Sequence, residues 1–420
     1  MEKEERRLAS MERIKTKPCA AIVGAGRTKF GEHWYESPER LLMIAGEAAL
    51  ESVDHGLRRS DIEACYFGSF LYQVTNKLGL VPGYMARELG VNIPMTNTEA
   101  ACASGSSALF NACMGIMSGK YDVVLVGGFE KMSDRFSKIV DNLMFAGDAH
   151  EFDAGFTFSG LYATMMARYI HDYGRGNRRC LEALAQVACK NHHHALGNDY
   201  AQFRREITVE DVFKSPLIAD PIRLLHCSPV SDGAVALVVV NQEVARKYTD
   251  TPIYILASQQ ATDDVSLFTR ESLTGIRATK LAVSKALEQA SMSPKDIQIA
   301  EVHDCFTIEE VLFLEDAGLF NRGDGWRGVY ESFESFKGSK HIPYIGDFGE
   351  IIVNPGGGLK ADGHPVGATG LRQVWECFVQ LRGEAGGHQV SSDKPLNVAL
   401  CHNIGGTGGI ATVHILARDL

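Results

Sequence analysis

The chain has 420 residues, 45% of them hydrophobic, and a formal net charge of -10. That length allows two to three domain-sized units and a large core, while an acidic balance without a long basic run excludes nucleic acid as the main partner, because binding phosphate takes clustered Lys and Arg. Ten scattered cysteines, no apolar leader and no apolar run long enough to span a bilayer point to free thiols in a cytoplasmic protein with no membrane partner.

The opening "MEKEERRLASMERIKTKP" reads as a frayed leader over residues 1–17, with Met11 as an alternative start. A short strand follows at Ala20 to Val23, then Gly24 and Gly26. Lys29 stands where a dinucleotide-binding loop needs its third glycine, so the glycines are expected to form a tight turn. Next comes an internal repeat. "AGEAALESVDHGLRRSDIEACYFGS" (45–69) and "VSKALEQASMSPKDIQIAEVHDCF" (283–306) each read as helix, break and strand. "YDVVLVGGFE" (121–130) and "LNVALCHNIGGTGGIATVHIL" (396–416) each read as a buried strand running into paired glycines. A boundary near residue 250 gives halves of 18–250 and 251–420, and predicts α/β layers around parallel or mixed sheets. The stretch from about 130 to 215 has no counterpart in the second half and is expected to cover a site.

Cys102 lies in "NTEAACASGSSALFNA" (97–112), just before a predicted helix rich in small residues. A helix N-terminus lowers a thiol's pKa from about 8.5 toward neutrality and makes it a nucleophile, whereas a lone buried cysteine more often only fills space. Two further motifs shift that balance. "EVHDCF" (301–306) ends an apolar strand with His303, Asp304 and Cys305, and "NPGGGLKADGHPVGATG" (354–370) fixes His364 between Gly363 and Pro365. Imidazole is the side chain best suited to take a thiol's proton, and His364 is the candidate base. Other tempting features read as structural. The adjacent His192, His193 and His194 point in different directions on a helix and make no metal cage, Cys401 beside His402 lacks zinc-ligand spacing, and Glu130 with Lys131 are expected on a solvated or interface face.

Four loops, "CASG", "HDCF", "GHP" and "NIGGTGGIA", stand in order along the chain, and through them it resembles a thiolase, specifically the sterol-carrier-protein-type branch, from about residue 18 to 420. Two departures from the common thiolase pattern matter. Most thiolases have Asn-Glu-Ala-Phe where this chain has His303, Asp304, Cys305 and Phe306, and most place a catalytic cysteine where Asn403 stands. The resemblance implies a thiolase fold with α-β-α-β-α layering and coenzyme A as a substrate, with no metal. It also implies roles: Cys102 as nucleophile, His364 as its base, His303 with His364 around a thioester oxygen, and the N–H groups of Cys102 and Gly405 around a tetrahedral oxyanion. Cys305 is expected to be the second thiol, with Cys401 as the alternative. The expected reaction is thiolysis of a 3-oxoacyl-CoA or the reverse Claisen condensation. An aromatic, benzoylsuccinyl-CoA-like substrate in a catabolic pathway is expected from Phe136, Phe145, Phe152, Phe156, Phe158 and Tyr162, beside an acetoacetyl-CoA thiolase of a biosynthetic pathway or a non-catalytic acyl-CoA-binding subunit. The resemblance further implies a homodimer or tetramer, and a separate OB-fold and zinc-ribbon partner, with no lipid-carrier domain after Leu420.

Overall fold

Eleven strands form one mixed sheet in the computed structural model, which describes residues 17–392 and 395–420. The predicted leader up to residue 16, with Met11, lies outside the described residues. In chain order the strands are β1 (Ala20–Arg27), β2 (Ala64–Gly68), β3 (Met95–Thr98), β4 (Val123–Glu130), the separate hairpin β5 (Leu217–Ala219) and β6 (Ile222–Arg223), β7 (Gly233–Val240), β8 (Ile253–Thr262), β9 (Ile299–Glu301), β10 (Pro343–Gly346), β11 (Gly349–Val353), β12 (Val398–Gly405) and β13 (Ile410–Ala417). Across the sheet they run β10-β11-β9-β12-β13-β8-β1-β7-β4-β2-β3.

That order contains the repeat. The first half reads β3-β2-β4-β7-β1 and the second, inside its extra edge strand β10, reads β11-β9-β12-β13-β8, so each half places its first strand at the seam. The directions match too: β2 pairs parallel with β3 and β4, as β9 does with β11 and β12, and the next two pairings in each half are antiparallel. At the seam, Ala20 to Ile22 pair antiparallel with Ile253 to Ile255. Buried strands of this kind need apolar side chains on both faces, and β4 and β7 are buried at every position.

Helix α1 (Pro38–Glu51) packs on β1, β7 and β4, and α5 (Arg277–Ala290) on β8 and β13. Between them, α2 (Ser104–Met117) and α8 (Thr369–Arg382) touch each other and strands of both halves. This is the expected α-β-α-β-α layering. Gly24 and Gly26 differ from expectation: β1 continues through them to Arg27. A Cβ on Gly24 would lie 2.5 Å from the Ala49 carbonyl oxygen, and one on Gly26 2.4 Å from the Ala49 nitrogen, so these glycines let α1 approach the strand and form no turn.

The covering segment contains α3 (Phe158–Tyr169) and α4 (Arg178–His194) among shorter helices. No helix among the described residues is long and apolar enough to cross a membrane.

Candidate active site

Cys102 sits in a single 3-10 turn, Ala101–Ala103, directly before α2. Ala101 is held at φ +51°, a left-handed conformation that costs a non-glycine residue about 1–3 kcal/mol and persists because its neighbours fix it. Glu99 accepts from the Ala101 N–H at 2.7 Å, and the Ser104 hydroxyl donates to the Ala101 carbonyl at 2.6 Å while accepting from the Ala100 N–H. The small residues after Cys102 have a definite use. A Cβ on Gly105 would sit 2.5 Å from the Gly367 carbonyl oxygen, and one on Gly370 2.5 Å from the Ser106 Cβ. The starts of α2 and α8 therefore cross at backbone contact, which brings Cys102 beside the loop carrying His364.

That loop is braced from behind. Arg27, at the end of β1, grips Asp362 with two hydrogen bonds of 2.7 and 2.8 Å, all fully buried. The Ser231 hydroxyl accepts from the His364 N–H at 2.9 Å. The Thr369 hydroxyl donates to the Pro365 carbonyl, which leaves its oxygen to accept from His364 Nδ1–H at 2.7 Å. Nε2 of His364 is then the bare nitrogen, as a base for a thiol requires.

His303 and Cys305 follow β9. Asn354, itself at φ +55°, accepts from the Val302 N–H at 2.9 Å and donates to Glu310. Asp304 accepts from Asn191 and from the N–H groups of Leu359 and Lys360 at the start of the short helix α7 (Gly358–Asp362). The acid of this motif thus ties its loop to the His364 loop.

Cys102 Sγ and one ring nitrogen each of His303 and His364 lie within 4.8 Å of one another; these donor types would also suit a soft metal ion. The two imidazole rings meet edge-on, 5.2 Å apart at 84°. Cys102, Cys305 and His364, at 6–8% exposure, open onto one cavity of about 110 Å³, whose wall includes Met132, Leu143, Phe158, Phe306, Val366 and Gly406. Cys401 is elsewhere: it faces α8, with its thiol on the Gln373 carbonyl at 3.5 Å. Gly405 packs against Ala100, whose carbonyl oxygen would be 2.3 Å from an added Cβ. Gly406 is the glycine of that loop that lines the cavity, and its N–H hydrogen bonds to the Cys102 sulfur.

The electrostatics differ from the expected helix-end activation. Burial pushes the Cys102 thiol up to about 12 and the Glu130 charge adds to this, while the N–H groups of Gly406 and Cys102 oppose it without prevailing. Cys102 therefore rests as a thiol. Burial holds His364 down to about 3 and His303 well below its usual value, so both imidazoles are neutral at working pH. Cys305 is raised by burial and by the Glu309 and Cys102 charges.

One group that the sequence reading misplaced, Glu130, and one of its expected aromatics, Tyr162, shape this site. Glu130, expected on an exposed face, is fully buried and accepts from Ser69 Oγ, the Phe70, Leu71 and Gly367 N–H groups at 2.9–3.1 Å; Lys131 beside it is buried on Asp232 at 3.0 Å. Tyr162 stacks on Phe306 at 4.5 Å, donates to the Gly406 carbonyl at 3.2 Å and hydrogen bonds with Cys305. Of the other aromatics of the covering segment, Phe158 lines the cavity, whereas Phe136, Phe145, Phe152 and Phe156 are exposed. The three histidines have separate partners: His192 meets Arg205 and Lys360, His193 meets Glu206, and His194 meets Asn354 and Ile342.

Comparison with known proteins agrees with this geometry. An acetyl-CoA acetyltransferase of Methanothermobacter thermautotrophicus is 42% identical over 399 residues, 95% of this chain and 99% of that one. Sterol carrier protein 2 of Rattus norvegicus is 32% identical over 421 residues, 94% of this chain and 71% of that one. A solved structure titled Ltp2-ChsH2(DUF35) aldolase has the same fold, with a TM-score of 0.78 at 24% identity over 96% of this chain and 98% of that one. The family model for the thiolase N-terminal domain matches residues 20–243, and that for the thiolase C-terminal domain matches 259–418. With both domains matched in order and a 42% identical relative aligned over 99% of its length, the chain belongs to the thiolase family and is an acyltransferase that uses coenzyme A thioesters.

Proposed function

We propose that the protein interconverts acetoacetyl-CoA or a similarly short 3-oxoacyl-CoA with acetyl-CoA through an acyl thioester on Cys102. One observation carries this reading: two thiols from opposite halves share one small cavity with the His364 imidazole. Nε2 of His364 takes the Cys102 proton as the sulfur attacks the keto carbon. The N–H groups of Cys102 and Gly406 are placed for the resulting oxyanion, and one such donor is worth about 3 kcal/mol of barrier. Collapse restores the carbonyl and breaks the carbon–carbon bond, leaving its electron pair in a thioester enolate whose oxygen faces His303 and the protonated His364. Cys305 gives its proton to the α-carbon. Its thiolate then takes the proton of a second coenzyme A, that thiol displaces Cys102 from the acyl group, and Cys102 recovers its proton from His364. Run backward, the same steps form the bond.

Short acyl chains are favoured by the small cavity volume of about 110 Å³ and by the activity named for the 42% identical relative. The aromatic substrate has less support, since four of the six aromatics that suggested it point away from the cavity. As for assembly, we infer a dimer across the outer edge of β3, which pairs on one side only among the described strands. A separate partner protein is suggested by the DUF35 protein in one neighbour's title.

The test is incubation with acetoacetyl, long-chain and aromatic 3-oxoacyl-CoA in turn, followed by mass spectrometry of the trapped protein. An acetyl adduct on Cys102 with fastest thiolysis of the acetoacetyl thioester is expected; turnover with Cys102 unmodified would refute the mechanism.

A further inference from the structure

The two places where this chain departs from the common thiolase pattern touch each other. Asn403 Nδ2 donates to His303 Nδ1 at 2.9 Å, although the residues lie 100 positions apart, one on β12 and the other after β9. The other ring nitrogen, Nε2, has no hydrogen-bond partner, and His303 is fully buried. One nitrogen of the ring lies within 4.8 Å of the Cys102 sulfur and of a His364 nitrogen, and the two rings meet edge-on.

A neutral imidazole carries one N–H, and the partner of one nitrogen decides where it sits. With Nδ1 accepting from Asn403, the hydrogen belongs on Nε2. The two imidazoles of the site then differ by construction. Thr369 accepts from Nδ1 of His364 and leaves Nε2 bare, whereas Asn403 donates to Nδ1 of His303 and leaves Nε2 protonated. One ring is left with a bare acceptor and the other with an unpartnered donor. A buried N–H without a partner is rare in folded proteins and marks a place kept for an arriving acceptor.

We propose that Asn403 is a positioning residue that fixes His303 as the Nε2–H tautomer, so that His at 303 and Asn at 403 are one linked exchange and not two independent ones. The consequence concerns the enolate oxygen: its donor stays in place at every pH at which the ring is neutral. This deepens the proposed reaction and rests on His303 facing the thioester oxygen. The charged and titratable groups that act on His303 are His364, His402 and Arg372.

The test uses the full-length protein. First, nitrogen-15 NMR of histidine-labelled wild type should report His303 protonated at Nε2 from pH 6 to 9; protonation at Nδ1 would overturn the proposal without any variant. Second, kcat is measured against pH for N403D and N403L. In N403D the carboxylate accepts from Nδ1–H, so Nε2 keeps a hydrogen only while the ring is an imidazolium. That variant should gain a descending alkaline limb in kcat that wild type and N403L lack. N403L should lose about two- to five-fold in kcat with a smaller change in KM, because the hydrogen then divides between the two ring nitrogens. Wild-type kcat and pH profile in both variants, with Cys102 still acylated, would overturn the role of Asn403. Failure of wild-type Cys102 to acylate would instead overturn the reaction, while the tautomer measurement stands by itself.

Discussion

The two halves have the same strand order and offer equivalent loops, yet they use them differently. The loop after β3 leads into α2 and carries Cys102, the proposed nucleophile; its counterpart after β11 leads into α8 and carries His364, the proposed base. After that the symmetry ends. The loop after β9 supplies His303 and Cys305, whereas the loop after β2 supplies Ser69, Phe70 and Leu71, which bond to Glu130 at the end of β4. On β12 the corresponding end carries Asn403. One copy holds most of the chemistry and the other holds one sulfur together with the bracing that keeps it in place, so equal topology sets where groups stand and the side chains decide what each position does.

Four measurements break or sharpen that contrast. The largest effect is expected from Cys102→Ser, which removes the first half's only reacting atom: thiolysis should fall by on the order of 10⁴-fold or more, with no acyl adduct. Cys305→Ala removes the proton donor of the second half. Carbon–carbon cleavage should slow by roughly 10²- to 10⁴-fold, and transfer from a preformed acyl-Cys102 to coenzyme A, followed in a single turnover, should slow as well because the Cys305 thiolate takes the proton of that thiol.

Glu130→Gln addresses the bracing. Replacing one carboxylate oxygen by an amide leaves buried donors among Ser69, Phe70, Leu71 and Gly367 unpaired, at about 1–3 kcal/mol for each group, so thermal denaturation should begin at lower temperature. The lost charge should also lower the Cys102 pKa from about 12, seen as faster iodoacetamide labelling of Cys102 at a fixed alkaline pH. The smallest effect is an expected flatness. His364 must be neutral to accept a proton and burial holds it at about 3, so lowering the pH from 8 to 5 leaves it neutral and kcat/KM should show no limb at the 6.5 of a free imidazole. A limb there that persists in Glu130→Gln, which removes a carboxyl raised to about 7 by burial, would mean that the ring is far better solvated than its surroundings imply.

Much of this was legible in the sequence because it is local. Helix, break and strand leave their periodicity in a short window, and Cys102, His303, Cys305 and His364 stand out by the glycines, prolines and strand ends around them. The remainder depends on distant contacts. Glu130 reads as a surface acid because the donors that make its burial tolerable come from 59 to 237 positions away. Gly24 and Gly26 read as a turn because the helix that needs their bare backbone is not adjacent in the chain. Cys102 reads as an activated thiol because the favourable helix end is visible in sequence, whereas the burial and the carboxylate that outweigh it are not. Asn403 could have been noticed, since it replaces a cysteine in one loop just as His303 replaces an asparagine in another; nothing in the sequence says that the two meet.

The crossing of α2 and α8 at Gly105, Gly367 and Gly370 separates reactivity from substrate choice. The spacing of sulfur and imidazole is set there by peptide groups in van der Waals contact, with no side chain in between whose size could drift. Much of the cavity wall comes from the covering segment, which has no part in that contact. Enlarging the acyl site by changes at Met132, Leu143 or Phe158 leaves the spacing of the reacting atoms untouched, which makes these positions the natural ones for redirecting the enzyme to longer chains.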